Sequence, residues 1–169
     1  MFQVLQVVSA FLVSVTMALA LAHALELPGK MRLDKQAYFT VQPIYYPGFT
    51  IGGLAEPLGM VTTLLLLVLT PRGSAAFWWT LSAWLALLAT HAVYWLLTHP
   101  VNKFWLRDQN LKGVSAGFFA FDPMKRSARA VGSQPDAWER FRNQWEYSHV
   151  LRAIFSALAL LALLMAVIK

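Results

Sequence analysis

Residues 2–25 read FQVLQVVSAFLVSVTMALALAHAL, an almost uninterrupted apolar run of 24 residues without a charge. A helix of about 20 apolar residues crosses the roughly 30 Å hydrocarbon core of a bilayer. The run has no basic segment before it and no convincing cleavage site after it, so we expect a retained first span rather than a signal peptide. Pro28 and Gly29 predict that this helix ends near residue 26.

Three more apolar runs repeat the pattern along the chain. With the first span at 2–26, we place the others at 54–70, 75–98 and 148–168. The composition agrees, because 58% of the 169 residues are hydrophobic and only 13% are charged, against about 25% charged in soluble domains. No internal repeat or low-complexity tract divides the chain. We therefore expect one all-α domain, an integral membrane bundle of four transmembrane helices.

Two long connections separate these spans. Residues 27–55 form a loop rich in tyrosine, phenylalanine and proline, which is typical of an interfacial segment; a lid over the mouth of the bundle is the alternative. Residues 103–137 form a basic loop. It closes with Ser133, Pro135 and Asp136, a pattern typical of a helix start. We therefore expect an extended last helix, of which only 148–168 spans the membrane.

The basic residues are distributed unequally between the two sides of the bundle. Twelve of the 14 lysines and arginines flank the two long loops, and only Arg72 and Lys169 lie on the opposite side. The positive-inside rule therefore predicts that both termini are outside and both long loops are cytoplasmic. This topology explains the net charge of +6. No basic stripe interleaved with stacking aromatic residues predicts nucleic-acid binding.

The predicted topology brings polar residues of all four helices to one level of the membrane. They are His23, Glu26, Glu56, His99, Asn102, Glu146, His149 and Arg152. Arg152 lies within the last apolar run, where it must reach the interface, pair with Glu26 or Glu56, or line a wet cavity. We expect a polar pocket on the cytoplasmic side. The alternative is a set of interhelical hydrogen bonds, each worth about 1 kcal/mol.

Helical spacing groups some of these residues with aromatic ones. Trp145, His149 and Arg152 are three or four positions apart and share one face of the last helix. The third span carries a similar stripe, consisting of His91, Trp95, Thr98 and Asn102. That second stripe requires Pro100 to kink its helix rather than end it. Stripes that mix aromatic and hydrogen-bonding groups are typical of a pocket for a flat ligand.

Metal binding is a further alternative for the same residues. Glu146 and His149 have the Glu-x-x-His spacing of di-iron carboxylate bundles, and His23 and Glu26 form the same pair in reverse order. The candidate ligands are His23, Glu26, Glu56, Glu146 and His149. The absence of cysteine excludes disulfides, thiolate metal sites and iron–sulfur clusters. The residues therefore leave three possibilities for a cofactor: none, iron or copper.

Four short motifs together resemble the anthrone oxygenase-like family. They are His-Ala-Leu-Glu-Leu-Pro at His23–Pro28, Tyr-Pro-Gly-Phe at Tyr46–Phe49, Thr-His-Pro-Val-Asn at Thr98–Asn102, and Trp-x-x-x-His-x-x-Arg at Trp145–Arg152. The resemblance covers nearly the whole chain. The family groups small four-span membrane proteins, mostly bacterial, that contain a domain of unknown function. Its fungal members are associated with the oxygenation of polyphenolic anthrones to anthraquinones.

The resemblance implies an oxygenase-like role on a small hydrophobic aromatic or quinone-like compound in the bacterial inner membrane. His149 or His99 would deprotonate an acidic aromatic C–H, and Arg152 and Asn102 would stabilise the resulting oxyanion. The substrate pocket would use Trp95, Trp145 and Tyr46.

Two other functions stay open. One is a non-catalytic membrane subunit or small-ligand binding protein whose polar ring only fixes helix packing. The other is a metal-dependent oxidase with iron or copper. The expected partners are membrane lipid, a small hydrophobic substrate, and further copies or subunits in an oligomer or larger membrane complex.

Overall fold

The computed structural model describes residues 1–105, 116, 117, 121 and 137–169, and these residues contain helices and no strand. The elements are α1 (Phe2–Lys30), α2 (Lys35–Val41), a 3-10 turn (Gln42–Tyr45), α3 (Gly48–Gly52), α4 (Ala55–Leu69), α5 (Ala75–Val93), a π-helical turn (Tyr94–Thr98), α6 (His99–Trp105) and α7 (Ala137–Ile168). The predicted helix start at Ser133 to Asp136, like most of the predicted basic loop, lies outside the described residues.

Four helical segments are long and apolar enough to cross a membrane. They are Phe2–Lys30, Gly48–Leu69, Ala75–Asn102 and Trp138–Ile168. The prediction of an all-α chain with four candidate spans, as in a multi-pass membrane protein, is therefore confirmed. Large apolar side chains such as Val7, Leu85 and Leu161 are more than half exposed on the outer faces. Such faces suit contact with lipid tails, which are as apolar as these side chains.

The long helices pack around two hydrophobic clusters. α7 packs against α1 and α5, and α4 packs against the same two helices. The first cluster joins these four helices and contains Val13, Leu66, Ala83, Leu87, Ala159, Ala162 and Leu163. The second is mainly aromatic, lies where α2 meets α6 and α7, and contains Tyr38, Tyr45, Val101, Trp105, Phe141 and Trp145. The second cluster borders the candidate site described below.

The connection after α1 is mostly helical, whereas the sequence predicted an aromatic loop over residues 27–55. α1 continues through Pro28 to Lys30, because a proline near a helix end removes only one helical hydrogen bond and Lys30 gains an ion pair with Glu26 at 2.8 Å. Asp34 then caps α2 by accepting a hydrogen bond from the Ala37 N–H at 2.8 Å. The short helices turn the aromatic side chains of this segment into the protein.

The third span also passes through a proline, and it extends past its predicted end at residue 98. In the π-helical turn before Pro100, the His99 N–H bonds to the Tyr94 carbonyl, five residues back. The wider π turn accommodates the proline ring, and α6 continues the helix to Trp105. Residues on both sides of Pro100 therefore share one continuous helical wall.

Candidate functional site

A cavity of about 250 Å³ lies among the four candidate spans. Its walls are mainly apolar or aromatic, and they include Leu19, Tyr46, Phe49, Leu54, Trp95 and Trp145. Its polar side chains include His23, Glu56, His91, Thr98, Asn102, His149 and Arg152. Apolar walls with a few placed polar groups are typical of a small-molecule site.

Most of the residues predicted for the site line this cavity, and three do not. His99, Glu26 and Glu146 lie outside its lining. His99 is buried beside the wall, with its ring centroid 4.7 Å from that of Trp95 and its Nδ1 3.2 Å from the Tyr94 hydroxyl. A ligand in the cavity would therefore contact His149 and Arg152 directly. Trp95 stands between the cavity and His99.

Glu56 is the central polar residue of the cavity and connects three helices. Arg152 Nη2 on α7 donates to Glu56 Oε2 at 2.7 Å, and His91 Nδ1 on α5 lies 2.7 Å from Glu56 Oε1. The Glu56 side chain is only 5% exposed. The sequence left Glu26 and Glu56 as possible partners of Arg152, and in the structure Arg152 pairs with Glu56.

The tautomer of His91 follows from its two partners. A carboxylate only accepts hydrogen bonds, so Nδ1 of His91 carries the proton that points to Glu56. The indole N–H of Trp95 donates to His91 Nε2 at 2.9 Å, which places the lone pair at Nε2. Both ring nitrogens of His91 are therefore engaged, Nδ1 by the carboxylate of Glu56 and the lone pair of Nε2 by the indole N–H of Trp95. The sequence prediction placed His91 in a stripe but not among the site residues.

The other two cavity imidazoles face cations. His23 Nδ1 lies 3.4 Å from Lys30 Nζ, and His149 Nδ1 lies 3.4 Å from Arg152 Nη1. Ammonium and guanidinium groups only donate, so both Nδ1 atoms act as acceptors and both Nε2 atoms carry the proton. The two rings pack together with centroids 4.1 Å apart. Their cationic neighbours disfavour a further positive charge on either ring.

A second polar cluster beside the cavity surrounds Lys30, which is only 4% exposed. Its Nζ lies 2.8 Å from Glu26 Oε2 and 3.7 Å from Glu146 Oε1. Two hydroxyls complete the cluster: Tyr38 donates to Glu146 at 2.7 Å, and Tyr45 donates to Glu26 at 2.6 Å. Burial, followed by the nearby Glu146 charge, raises the pKa of Tyr38 above its ordinary value. From the sequence, Lys30 was used only to predict the topology. Its position four residues after Glu26 already indicated an ion pair between the two side chains.

The five candidate metal ligands are divided between these arrangements. Glu56 pairs with Arg152, whereas Glu26 and Glu146 share Lys30. In the part of the chain that the structure describes, no three His, Asp or Glu side chains form a group that could hold a metal ion. The three carboxylates among these candidates are already paired with cations, and the iron or copper alternative stays a prediction.

Two more hydrogen bonds join the third span to α7 at the level of the cavity. Trp145 Nε1 donates to Asn102 Oδ1 at 2.8 Å, and the hydroxyls of Thr98 and Ser148 lie 2.8 Å apart. Asn102 therefore holds the indole of Trp145 in the cavity wall.

No protein-family model matches this chain, and neither a curated protein nor a solved structure does. The resemblance to anthrone oxygenase-like proteins therefore stays a prediction from the four motifs.

Proposed function

We propose that this protein is a membrane-embedded, oxygenase-like protein that acts on a small hydrophobic aromatic or quinone-like compound. One observation carries the proposal. His91, with Glu56 on its Nδ1, lines one small cavity with aromatic walls together with His149 and Arg152. A flat ring stacked between Trp95 and Trp145 would have hydrogen-bond donors and a base in the same chamber.

The donors suit an oxygen atom on the substrate. His149 Nε2 and Arg152 Nε are buried and have no hydrogen-bond partner among the residues that the structure describes. An unsatisfied buried donor costs about 1–3 kcal/mol. A carbonyl or phenolate oxygen that binds between these two side chains would satisfy both donors, and they would stabilise negative charge that develops on it.

His91 suits the role of base. Proton removal requires the Trp95 indole N–H to release the Nε2 lone pair that it occupies, and Glu56 then compensates the charge that protonation creates. The resemblance implied His149 or His99 as the base, but His99 lies outside the cavity lining and the neighbour of His149, Arg152, favours a neutral, donating ring. The proposal therefore assigns proton removal to His91 and oxygen binding to His149 and Arg152.

The reaction balances with dioxygen as the second substrate. His91 takes a proton from a ring CH₂ conjugated to a carbonyl, and the electron pair moves onto the carbonyl oxygen. The carbon then bonds to dioxygen, and the returned proton gives a hydroperoxide. Loss of the second C–H proton with cleavage of the O–O bond releases water and leaves a new carbonyl. In sum, CH₂ and O₂ become C=O and H₂O.

Purified protein with a lipophilic anthrone and oxygen tests the proposal. We expect anthraquinone formation with one O₂ consumed per product, and a fall of at least about 100-fold in His91→Ala. Added imidazole should restore part of that activity, because His91 is 32% exposed. Tyr147→Phe, at an exposed position of α7, is the control. Wild-type protein without turnover would refute the oxygenase role, whereas full activity in His91→Ala would refute only the assigned base.

The interhelical hydrogen bonds favour one alternative, a non-catalytic subunit or ligand-binding protein whose polar ring fixes helix packing. Glu56–Arg152, Asn102–Trp145 and Thr98–Ser148 each join two different helices. In that case Thr98→Val should lower the melting temperature and leave ligand binding and turnover unchanged. A loss of binding at unchanged melting temperature in Arg152→Met would favour the substrate site.

We also propose a bacterial inner-membrane location with both termini outside and the Lys30–Lys35 side cytoplasmic, on the charge distribution given above. The chain has no cysteine, so single introduced cysteines report topology without background. An impermeant maleimide should label Arg72→Cys in intact spheroplasts and Lys35→Cys only after lysis. Both positions are exposed. The reverse labelling pattern would show that the protein has the opposite topology.

A further inference from the structure

The cavity is closed on one side and accessible on another. Four lining residues on the π-helical turn, α6 and α7 are buried: Thr98 is 1% exposed, Asn102 3%, Trp145 2% and His149 4%. At the start of α4 and on α5 the lining is accessible, since Leu54 is 50% exposed and the His91 side chain 32%. Leu54 and Pro57 are the exposed residues of the lining, and with the half-buried His91 and Trp95 they place an opening between α4 and α5. We call it the lateral mouth and define it by Leu54, Pro57, His91 and Trp95.

The surface around the lateral mouth is apolar. Ile51, Leu58 and Val61 are 54–57% exposed beside α4, and Leu88 and Leu96 are 39–40% exposed beside α5. Between residues 36 and 71 the only charged residue is Glu56, which is buried, and residues 73–102 contain none. The mouth also lies within two of the candidate spans. An opening framed in this way faces hydrocarbon rather than water.

His91 is the one titratable side chain among the four residues that define this mouth. A partly exposed polar side chain within a membrane span is expensive unless it has partners or serves a ligand. Its two ring nitrogens are held by Glu56 and Trp95, and the accessible part of the ring stands between the lipid-facing surface and the cavity. An aromatic ring that enters the cavity from the bilayer would therefore pass next to His91.

The cavity volume limits what can be enclosed. At about 250 Å³ it is slightly smaller than the usual small-molecule pocket of about 300–1,000 Å³. It accommodates a compact aromatic head and leaves no room for a long hydrocarbon tail. Because the lateral mouth opens onto apolar surface, a tail attached to that head can remain in the bilayer.

We infer that the ligand reaches the cavity sideways from the bilayer through the lateral mouth, and that it is a lipid-soluble phenol or quinone whose hydrocarbon tail stays outside. The inference rests on the proposed function for the aromatic head. It adds the tail, the direction of approach and the residues at the entrance. The head lies against His149 and Arg152, and the tail runs between Leu54 and Trp95 over the outer faces of α4 and α5.

Photolabelling of the full chain in lipid nanodiscs tests the position of the tail. The probe is a naphthoquinone that carries a prenyl tail with a diazirine midway along it. We expect labelling on Ile51, Leu58 or Leu88, which flank the mouth, and competition by the unlabelled tailed quinone. Competable labelling confined to residues 35–46, at the other end of the cavity, would overturn the lateral mouth.

A matched pair of variants tests the path. Leu54→Trp narrows the mouth, whereas Leu65→Trp adds the same side chain to a 49% exposed position of α4, about 16 Å further along the helix. We expect the association rate of the tailed quinone to fall at least about tenfold in Leu54→Trp and to stay unchanged in Leu65→Trp. Equal rates in the two variants would overturn the lateral mouth but leave binding in the cavity, and hence the proposed function, intact. If neither the tailed nor the tail-free naphthoquinone binds the wild-type protein, both proposals fail.

Discussion

Glu56 and Arg152 lie 96 positions apart in the chain and form an ion pair with 2.7 Å between Oε2 and Nη2. Both side chains are largely buried, at 5% and 13% exposure. The second carboxylate oxygen of Glu56 holds His91, so one acid fixes the relative positions of α4, α5 and α7. A buried pair adds little net stability over a packed apolar pair, but loss of one partner leaves an uncompensated charge.

Glu56→Gln should therefore destabilise the protein strongly. We expect a loss of about 3–5 kcal/mol, because Arg152 stays buried without its counter-charge. The double variant Glu56→Gln/Arg152→Met should recover most of that loss. Thermal unfolding in detergent measures both, with Glu139→Gln at an exposed position of α7 as the control, expected within about 0.5 kcal/mol of wild type. A double variant no more stable than the single one would show that the charge imbalance is not the cause.

Lys30→Met should also destabilise the protein, because it leaves Glu26 and Glu146 without the cation that they share. Lys30 Nζ is the cation nearest to Glu146, which is fully buried, and it also pairs with Glu26. We expect a loss of about 3 kcal/mol, most of it recovered in Lys30→Met/Glu146→Gln. Lys35→Met, at an exposed site of the neighbouring helix, should be neutral. An equally neutral Lys30→Met would contradict the buried position of the ammonium group.

Asn102→Ala should leave the indole N–H of Trp145 without its acceptor. The bond to Asn102 Oδ1 is 2.8 Å long and buried, and an unsatisfied buried donor costs about 1–3 kcal/mol. Trp145→Phe in the same protein removes the orphaned N–H, so the double variant should lose less than the sum of the two single variants. Double-mutant analysis of melting curves measures this coupling. Strict additivity would mean that the hydrogen bond contributes nothing.

Stability should fall at alkaline pH through Tyr38. Burial, followed by the Glu146 charge, raises the pKa of this phenol in the folded protein, whereas the unfolded chain titrates near pH 10. The unfolded state therefore releases the Tyr38 proton first, and the contribution of Tyr38 is complete below pH about 10 and declines above it. Tyr38→Phe should reduce the alkaline slope by up to about 1.4 kcal/mol per pH unit. An unchanged slope in unfolding experiments above pH 10 would contradict the burial of this hydroxyl.

The four spans follow from the sequence because length and hydropathy are local properties of a segment. The same holds for the face shared by Trp145, His149 and Arg152, which depends only on helical spacing within α7. One proline position was predicted less well. Pro28 was expected to end α1, and the helix continues, because the loss of one backbone hydrogen bond near a helix end is small beside the contacts that Lys30 makes.

The partners of the polar residues depended on the tertiary structure. From the sequence, Arg152 had Glu26 and Glu56 as equivalent choices, and the rotation of α4 against α7 selected Glu56. His91 was predicted in a stripe of the third span but not among the polar residues of the shared level, yet Glu56 Oε1 lies 2.7 Å from its Nδ1.

The sequence by itself determined an all-helical chain with four apolar spans and polar residues near their ends, because each of these is read from consecutive residues. Only the tertiary structure decided that Glu56 holds Arg152 and His91 together, that Lys30 is buried between two acids, and that a cavity opens between α4 and α5. Those features depend on how helices rotate and pack against each other. Hydropathy and helical period leave that packing open, since several rotations bury nearly the same apolar area.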